Sequence, residues 1–339
     1  MGRNLSDLVV FIGVRLVQLI PVLLGVVLLM FFLTHVSVSD PCAGWEPHAH
    51  PNVIRACIAY FGLNQPLTTQ FERYIVSLLS GNWGNDPLSG LPVLPQIAAA
   101  FPATLELVLA ALVIMVGIGI PLGVVGAANS GRWPDHLVRL FYLSGWATPT
   151  YFAALVLVIW VGPGLGLPTG GQFSAPPTFS QPTHMSVLDA LLAGNLPATG
   201  DAIAHLILPA TALAFLNLGI ITRMTRSSML RVLPMDYIKS ARMKGMGEDR
   251  VLYVHALRNS LISTMSVLGF TVSGLLAGTI VVEEVFRWGG IGEYAYDAII
   301  NHNFAGGVGV VIFFGISVVI ANLIADIMYG VLDPKVEWR

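Results

Sequence analysis

The sequence predicts an all-α polytopic membrane protein with six transmembrane helices. Three observations predict this. Mean hydropathy is +0.75, and only 11% of residues are charged, against roughly 25% in soluble domains. Six runs reach the length of about 20 mostly apolar residues that a span needs. Lys and Arg are segregated between the segments that join these runs. Such a chain lacks the polar surface to cover itself in water, so lipid is its solvent. The formal net charge of -2 says less than where the charges fall, and nothing points to nucleic-acid binding.

The runs are Val9–Val36, Ile97–Ala128, Leu140–Val161, Ile203–Ile221, Ser260–Val282 and Phe304–Ala325. The first reads as a retained span and not as a cleaved signal. Leu16–Leu33 alone is 18 residues without a charge, longer than the roughly 7–15 residues of an apolar signal core. No small-x-small cleavage site follows closely. Orientation follows from Lys and Arg. With the N-terminus inside, 14 of them lie inside and only Arg55, Arg73 and Arg287 outside. Both termini are therefore expected in the cytoplasm, in the cell (plasma or inner) membrane. From Leu140 to Thr222 there is no Lys or Arg at all.

Three regions result. Residues 1–37 hold the N-terminus and first span. Residues 38–96 form a small exterior lobe. Residues 97–339 form a five-helix core carrying a cytoplasmic loop, 223–259. In the lobe, Phe71, Tyr74, Ile75 and Leu78 recur at helical spacing within Leu67–Leu79. Cys42 and Cys57 both fall in this lobe. An oxidising exterior permits a disulfide there, and closing a loop of this size is worth about 3 kcal/mol; two unpaired thiols are the other reading. Residues 162–200 are a second outer segment, rich in Gly, Pro, Ser and Thr, with a short helix near Ser186–Ala193. Trp83, Trp133, Trp146, Trp160 and Trp288 fall near the expected interfaces, as aromatic belts do. Two small-xxx-small patterns, Gly119–Gly123 and Gly274–Gly278, permit close helix approach, within the chain or at a subunit interface.

The loop between Thr222 and Ser260 holds eight of the chain's 17 Lys and Arg, against Asp236, Glu248 and Asp249. Pro234 ends the preceding helix. Asp236 is placed to cap a new one. Tyr237–Lys244 then reads as a helix whose later turns carry Lys239, Arg242 and Lys244, which favours its dipole. Gly245 suits the left-handed residue after a helix end. A second helix is expected from about Glu248 to Asn259. Isolated helices shorter than about 12–15 residues are marginal in water, so the first should rest on a partner surface. Tyr237, Ile238 and Ala241 would be its apolar edge. Glu248 lies beyond that helix and is expected to bear little on it. The residues alone leave two readings: a docking element, or a solvated positive-inside loop.

The residues of this loop resemble the permease subunits of ATP-binding-cassette (ABC) importers, in the dipeptide/oligopeptide/nickel group. Arg223–Leu230 reads RMTRSSML, followed by Asp236-Tyr237-Ile238 and by Val254-His255-Ala256-Leu257-Arg258-Asn259. The general E-A-A-x-x-x-G motif of such loops falls on Lys239-Ser240-Ala241 and Gly245, without its Glu. The resemblance extends along the chain. Asp40-Pro41, Phe61–Leu67 (FGLNQPL), Pro102–Leu107 (PATLEL), Trp288–Gly292 (WGGIG) and Asp333-Pro334 all have counterparts in order. Ser263 and Gly289 stand where the group usually has Pro.

The resemblance implies a type I ABC importer permease fold. It implies that Asp236, Tyr237, Ile238, Lys239, Ser240, Ala241 and Gly245 form the coupling helix seated in an ATPase groove. It further implies a homologous second permease, two cytoplasmic ABC ATPase subunits and an extracytoplasmic substrate-binding protein. The cargo would be a di- or oligopeptide, with oligosaccharide or nickel as alternatives. No cofactor is expected in this chain, since ATP and Mg would sit in the ATPase subunits. Consistently, the sequence has no G-x-x-x-x-G-K-[ST] phosphate loop, so the chain is not expected to be an enzyme.

Intramembrane polar residues are functional candidates by default. Glu106, Asn217, Ser266, Thr271 and Ser273 are candidates for a transport path; structural capping and helix-to-helix hydrogen bonding are the competing readings. Asp326, near the end of the sixth span, reads the same way. His48 and His50 make an H-x-H pair, but two ligands are too few for a tetrahedral metal site, and no metal is expected. A stand-alone ion-coupled transporter is the different-class rival. It would need ionisable residues near mid-span, and spans two, three, five and six have long uncharged centres.

Overall fold

A computed structural model describes residues 5–32, 55, 58, 64–86, 89–301 and 303–332. Among them there are helices and turns but no β-strand, only an isolated bridge between Asn85 and Pro92. Among the described residues, five helices are long and apolar enough to cross a membrane, six if one bent pair counts as a span. The chain divides into two compact units: Met1–Pro102 with Gly290–Val319, and Ala103–Gly289 with Ile320–Arg339.

The first unit opens with helix Leu5–Phe32, the first span. The spacing of Phe71, Tyr74, Ile75 and Leu78 folds Leu67–Leu79 into a helix. Phe31 packs edge-on against Phe71, with centroids 5.1 Å apart, and lies 5.8 Å from the Tyr74 ring. Phe313 is shared between Trp83 and Phe101, at 6.4 and 5.1 Å. Val93 and Ile97 are fully buried here. Helix Ile291–Ile300 was not foreseen, and it begins directly after Gly290. Cys42, Cys57, His48 and His50 lie outside the described residues.

The second unit is organised by helix Leu196–Val232, the fourth span. At 37 residues it overruns the expected Ile203–Ile221 at both ends. Asn195 starts it, its side chain accepting a 3.1 Å bond from the Ala198 N–H. The second span, Val93–Ala128, crosses it closely at Gly119 and Gly123. A Cβ on Gly123 would lie 2.6 Å from Thr225 Cβ and 2.9 Å from the Thr222 carbonyl. That glycine pattern therefore serves packing inside the chain. Its counterpart differs: a Cβ on Gly274 would meet nothing, and one on Gly278 would make an ordinary 3.4 Å contact with Leu213.

Two expectations are corrected here. Leu140–Val161 is not one straight span: Trp133–Ala147 and Thr150–Leu165 meet at a 107° bend. Pro149 explains the break. It has no N–H to donate and drives the preceding residue out of the helical region; Thr148 accordingly has φ -93°, ψ 118°. The expected loop helix from Glu248 and the fifth span from Ser260 are one continuous helix. Glu248–Arg250, a π-helical turn at Val251–Ala256 and Leu257–Phe286 run on without interruption. No Gly or Pro falls between Glu248 and Leu268, so nothing in the chain stops the fifth span before it enters the basic loop. The sixth span is Phe304–Leu332.

Candidate functional site

The basic loop folds as the turn residues dictate. Helix Leu196–Val232 ends, Pro234 follows, and a short helix runs Asp236–Met243. Gly245 then takes φ +74°, the left-handed region that a Cβ makes costly. Its N–H donates to the Arg242 carbonyl at 2.9 Å, and Met246 N–H donates to the Ala241 carbonyl at 3.4 Å. The chain then enters the long helix at Glu248.

The short helix has an inner and an outer face. Ile238 and Ala241 are buried in an apolar cluster with Val124, Ala127, Met229, Val232, Val251, Leu252 and Ala256. They anchor the helix on its own chain, so the expected outward edge is turned inwards at these two positions. Burying one Ile contributes about 1.5–3 kcal/mol, so packing on its own chain helps to hold this eight-residue helix. On the face away from Ile238 and Ala241, Met243 is 80% exposed, while Met235 just before the helix and Tyr237 on its flank are 43% and 41% exposed. Asp236, Lys239, Arg242 and Lys244 of the same segment are exposed as well.

Asp236 is not the cap. Met235 occupies that position with no side-chain bond, and Asp236 is the first helical residue. Its carboxylate still opposes the positive helix end and accepts from Lys239 Nζ at 3.0 Å. Tyr237 Oη accepts from Asn259 Nδ2 at 3.0 Å. Arg242 makes a two-pronged bond to Glu248, Nη2 to Oε1 at 2.6 Å and Nε to Oε2 at 3.1 Å. These bonds hold the Glu248 carboxyl below its usual range and raise the guanidinium. Glu248 is thus tied to the short helix, contrary to the expectation that it stands apart.

The candidate path residues separate. Both Glu106 oxygens are engaged: Oε2 accepts from Ser186 N–H and Oγ, and Oε1 from Val187 N–H, each at 2.8 Å. Glu106 caps helix Ser186–Leu192, whose own residues supply no side-chain cap. Thr271 is buried and donates to its own helix at the Val267 carbonyl, 2.8 Å. Asn217 is half-buried on the fourth span. Ser266 and Ser273 lie on the fifth span, and their side chains, like that of Asp326, lie outside the described set. Among the described residues no group of three or more His, Cys, Asp or Glu is placed to hold a metal ion.

One cluster escaped the sequence reading. Asp135 is completely buried, yet it receives Arg226 through Nε at 2.6 Å and Nη2 at 2.8 Å. Arg139 Nη2 adds a bond at 2.7 Å and Gly131 N–H one at 2.9 Å. Three residues along the same helix, Arg223 stacks over the Trp146 ring at 5.4 Å. Both arginines of the RMTR stretch therefore grip helix Trp133–Ala147. The i, i+3 spacing of two Arg on a long apolar helix, opposite a lone Asp, was the available signal.

Residues 119–338 match the family described as binding-protein-dependent transport system inner membrane component. The probable D,D-dipeptide transport system permease protein DdpB of Escherichia coli K12 is 38% identical over 325 residues, 94% of each chain. The di/tripeptide transport system permease protein DppB of Pseudomonas aeruginosa UCBPP-PA14 is 36% identical over 330 residues, 96% of this chain and 98% of its own. The dipeptide permease DppB of E. coli K12 is 35% identical over 339 residues, 97% and 99%. In fold, the chain resembles the MetNI methionine ABC transporter in an inward-facing conformation, with TM-score 0.51 and 15% identity over 68% of this chain and 93% of that one. A multi-pass helical protein with these relatives along nearly its whole length belongs to the binding-protein-dependent transport system inner membrane component family, in its dipeptide/oligopeptide permease group.

Proposed function

We propose that this chain forms half of the membrane pathway of an ATP-driven importer of di- and oligopeptides, with helix Asp236–Met243 docking on a cytoplasmic ATPase. The observation that carries the reading is the outer face of that helix. Met235, Tyr237 and Met243 are exposed together with Lys239, Arg242 and Lys244, on a helix fixed from behind by Ile238 and Ala241. A merely solvated loop has no need of exposed apolar side chains on a helix fixed from behind. The peptide assignment rests on the relatives, whose names specify dipeptide, D,D-dipeptide and di/tripeptide transport.

In this reading both termini and the basic loop are cytoplasmic. A homologous permease supplies the other half of the path. Two ATPase subunits bind ATP and Mg and perform the hydrolysis, and an extracytoplasmic binding protein delivers the cargo. The test is co-purification of the ATPase with tagged permease, together with uptake of a labelled dipeptide. Met243→Glu places a charge among the exposed apolar side chains and breaks none of the bonds described above, and Tyr237→Asp does so while also giving up the bond from Asn259. Both should insert normally and lose the ATPase. Parent-like recovery of the ATPase in both variants would remove this helix as the docking site. Uptake of an oligosaccharide or nickel, but not of a dipeptide, would reassign the cargo.

A further inference from the structure

The short helix is tied to the two spans that flank it in different ways. To the fourth span it is joined by the turn at Leu233–Met235 and by apolar packing on Met229 and Val232. To the fifth it is joined by side-chain bonds at both of its ends. At the start, Asn259 Nδ2 donates to Tyr237 Oη at 3.0 Å. At the finish, Arg242 grips Glu248 in two prongs. Between these, the helix lies on the π-helical turn Val251–Ala256, with Val251, Leu252 and Ala256 under Ile238 and Ala241. Glu248 and Asn259 belong to the same uninterrupted helix that becomes the fifth span. Apolar packing on Val124, Ala127, Met229 and Val232 also supports the helix from the second and fourth spans, but the side-chain bonds described above, one at each end, run to the fifth.

We infer that Arg242 and Glu248 are positioning residues that lock the docking helix to the cytoplasmic extension of the fifth span, making that span the lever the ATPase moves. This rests on the docking reading above. The bond is exposed, with Arg242 43% and Glu248 56% open. Exposed ion pairs add little to folding stability. The pair's effect is therefore on orientation, and it should appear in coupling while leaving the amount of folded protein unchanged. Pinning by two parallel N–H···O bonds suits that task, because the planar guanidinium fixes an angle as well as a distance.

The experiment uses the whole transporter in proteoliposomes, with Arg242→Glu, Glu248→Arg and the exchanged pair R242E/E248R. Two readings are taken: the ATPase recovered with the permease, and the dipeptide imported per ATP hydrolysed. Glu248→Arg, which leaves Lys239, Arg242 and Lys244 intact, should keep the ATPase bound, and each single reversal should lower import per ATP by about fivefold or more, the low end of ordinary coupling between sites. The ratio is taken per ATP so that any ATPase lost with the Arg242 charge does not enter it. The exchange should restore import per ATP, because it rebuilds the bond with the charges reversed. Parent-like coupling in the single variants would overturn the inference. So would failure of the exchange to restore coupling, since the loss would then come from the altered surface charge alone. Failure of the docking reading is seen separately, as retained ATPase in the Tyr237 and Met243 variants.

Discussion

Two arginine–carboxylate pairs in the second unit have the same shortest distance and opposite surroundings. Arg226 meets Asp135 at 2.6 Å, with the side chains 14% and 0% exposed. Arg242 meets Glu248 at 2.6 Å, with 43% and 56% exposed. Distance therefore says nothing about what either contributes. A buried carboxylate has no water to fall back on, so its partners are obligatory. An exposed one exchanges its partner for water at little cost. The first pair fastens helix Trp133–Ala147 to the fourth span, and the second sets the angle of a helix that other contacts already hold.

The largest expected effect breaks the first pair. Asp135→Ala leaves Arg226 with its charge largely enclosed and Gly131 N–H without its acceptor. Removing one member of such a pair costs about 3–5 kcal/mol. Detergent-solubilised protein should melt far below the parent or fail to accumulate. A parent-like melting profile would show that water enters this site and that its burial is only nominal.

The next effect tests packing beside that clamp. Gly123→Val sets a side chain against Thr225 and the Thr222 carbonyl. Overfilling a packed core costs about 1–3 kcal/mol, and here one of the obstructing atoms is backbone. Gly274→Val, in the pattern that looks identical in sequence, meets open space and should melt like the parent.

Much of this was legible in the chain, for identifiable reasons. Lipid solvent forces each span to satisfy its own backbone, so length and apolarity sufficed for the second, fourth, fifth and sixth spans. The third span was misjudged because hydropathy does not register a bend, although Pro149 was there to see. Gly245 was read correctly, since a left-handed residue after a helix has one favoured occupant. Ile238 and Ala241 were read with the wrong face, because an apolar pair at i, i+3 looks the same whether its partner is another subunit or the chain's own Val251 and Leu252. The sequence allows Glu106 two roles, and only the fold shows that its partners are Ser186 and Val187, 80 and 81 residues away. Asp135 was missed for the same reason: its partner Arg226 lies 91 residues on.

Gly245→Val follows in size. Holding a side chain at positive φ costs roughly 1–2 kcal/mol, and no neighbour obstructs the added atoms. Strain alone acts, and it acts on the turn that carries Arg242 to Glu248. Melting should fall slightly, while ATPase recovery and import per ATP fall more. Gly245→Asn, which tolerates the left-handed region, should sit between Val and the parent.

The smallest effect on stability belongs to Glu248→Gln, and its pH dependence separates the two pairs most sharply. Bonding to Arg242 lowers the Glu248 pKa from its ordinary 4.5. A depressed carboxylate contributes stability that is present above its unfolded pKa and is lost as pH falls through the folded value. The parent and Glu248→Gln should therefore differ by a small, constant amount from pH 6 to 8, within the ~0.5 kcal/mol of ordinary surface changes. That difference should vanish below the ordinary carboxylate range, and it should shrink with added salt because the pair is exposed. Measured as the parent-minus-variant melting temperature across pH and salt, the difference isolates this one bond. A large difference, or one indifferent to salt, would mean that Glu248 is shielded in the way Asp135 is. The Arg242 contact would then be a structural clamp and not a setting of angle.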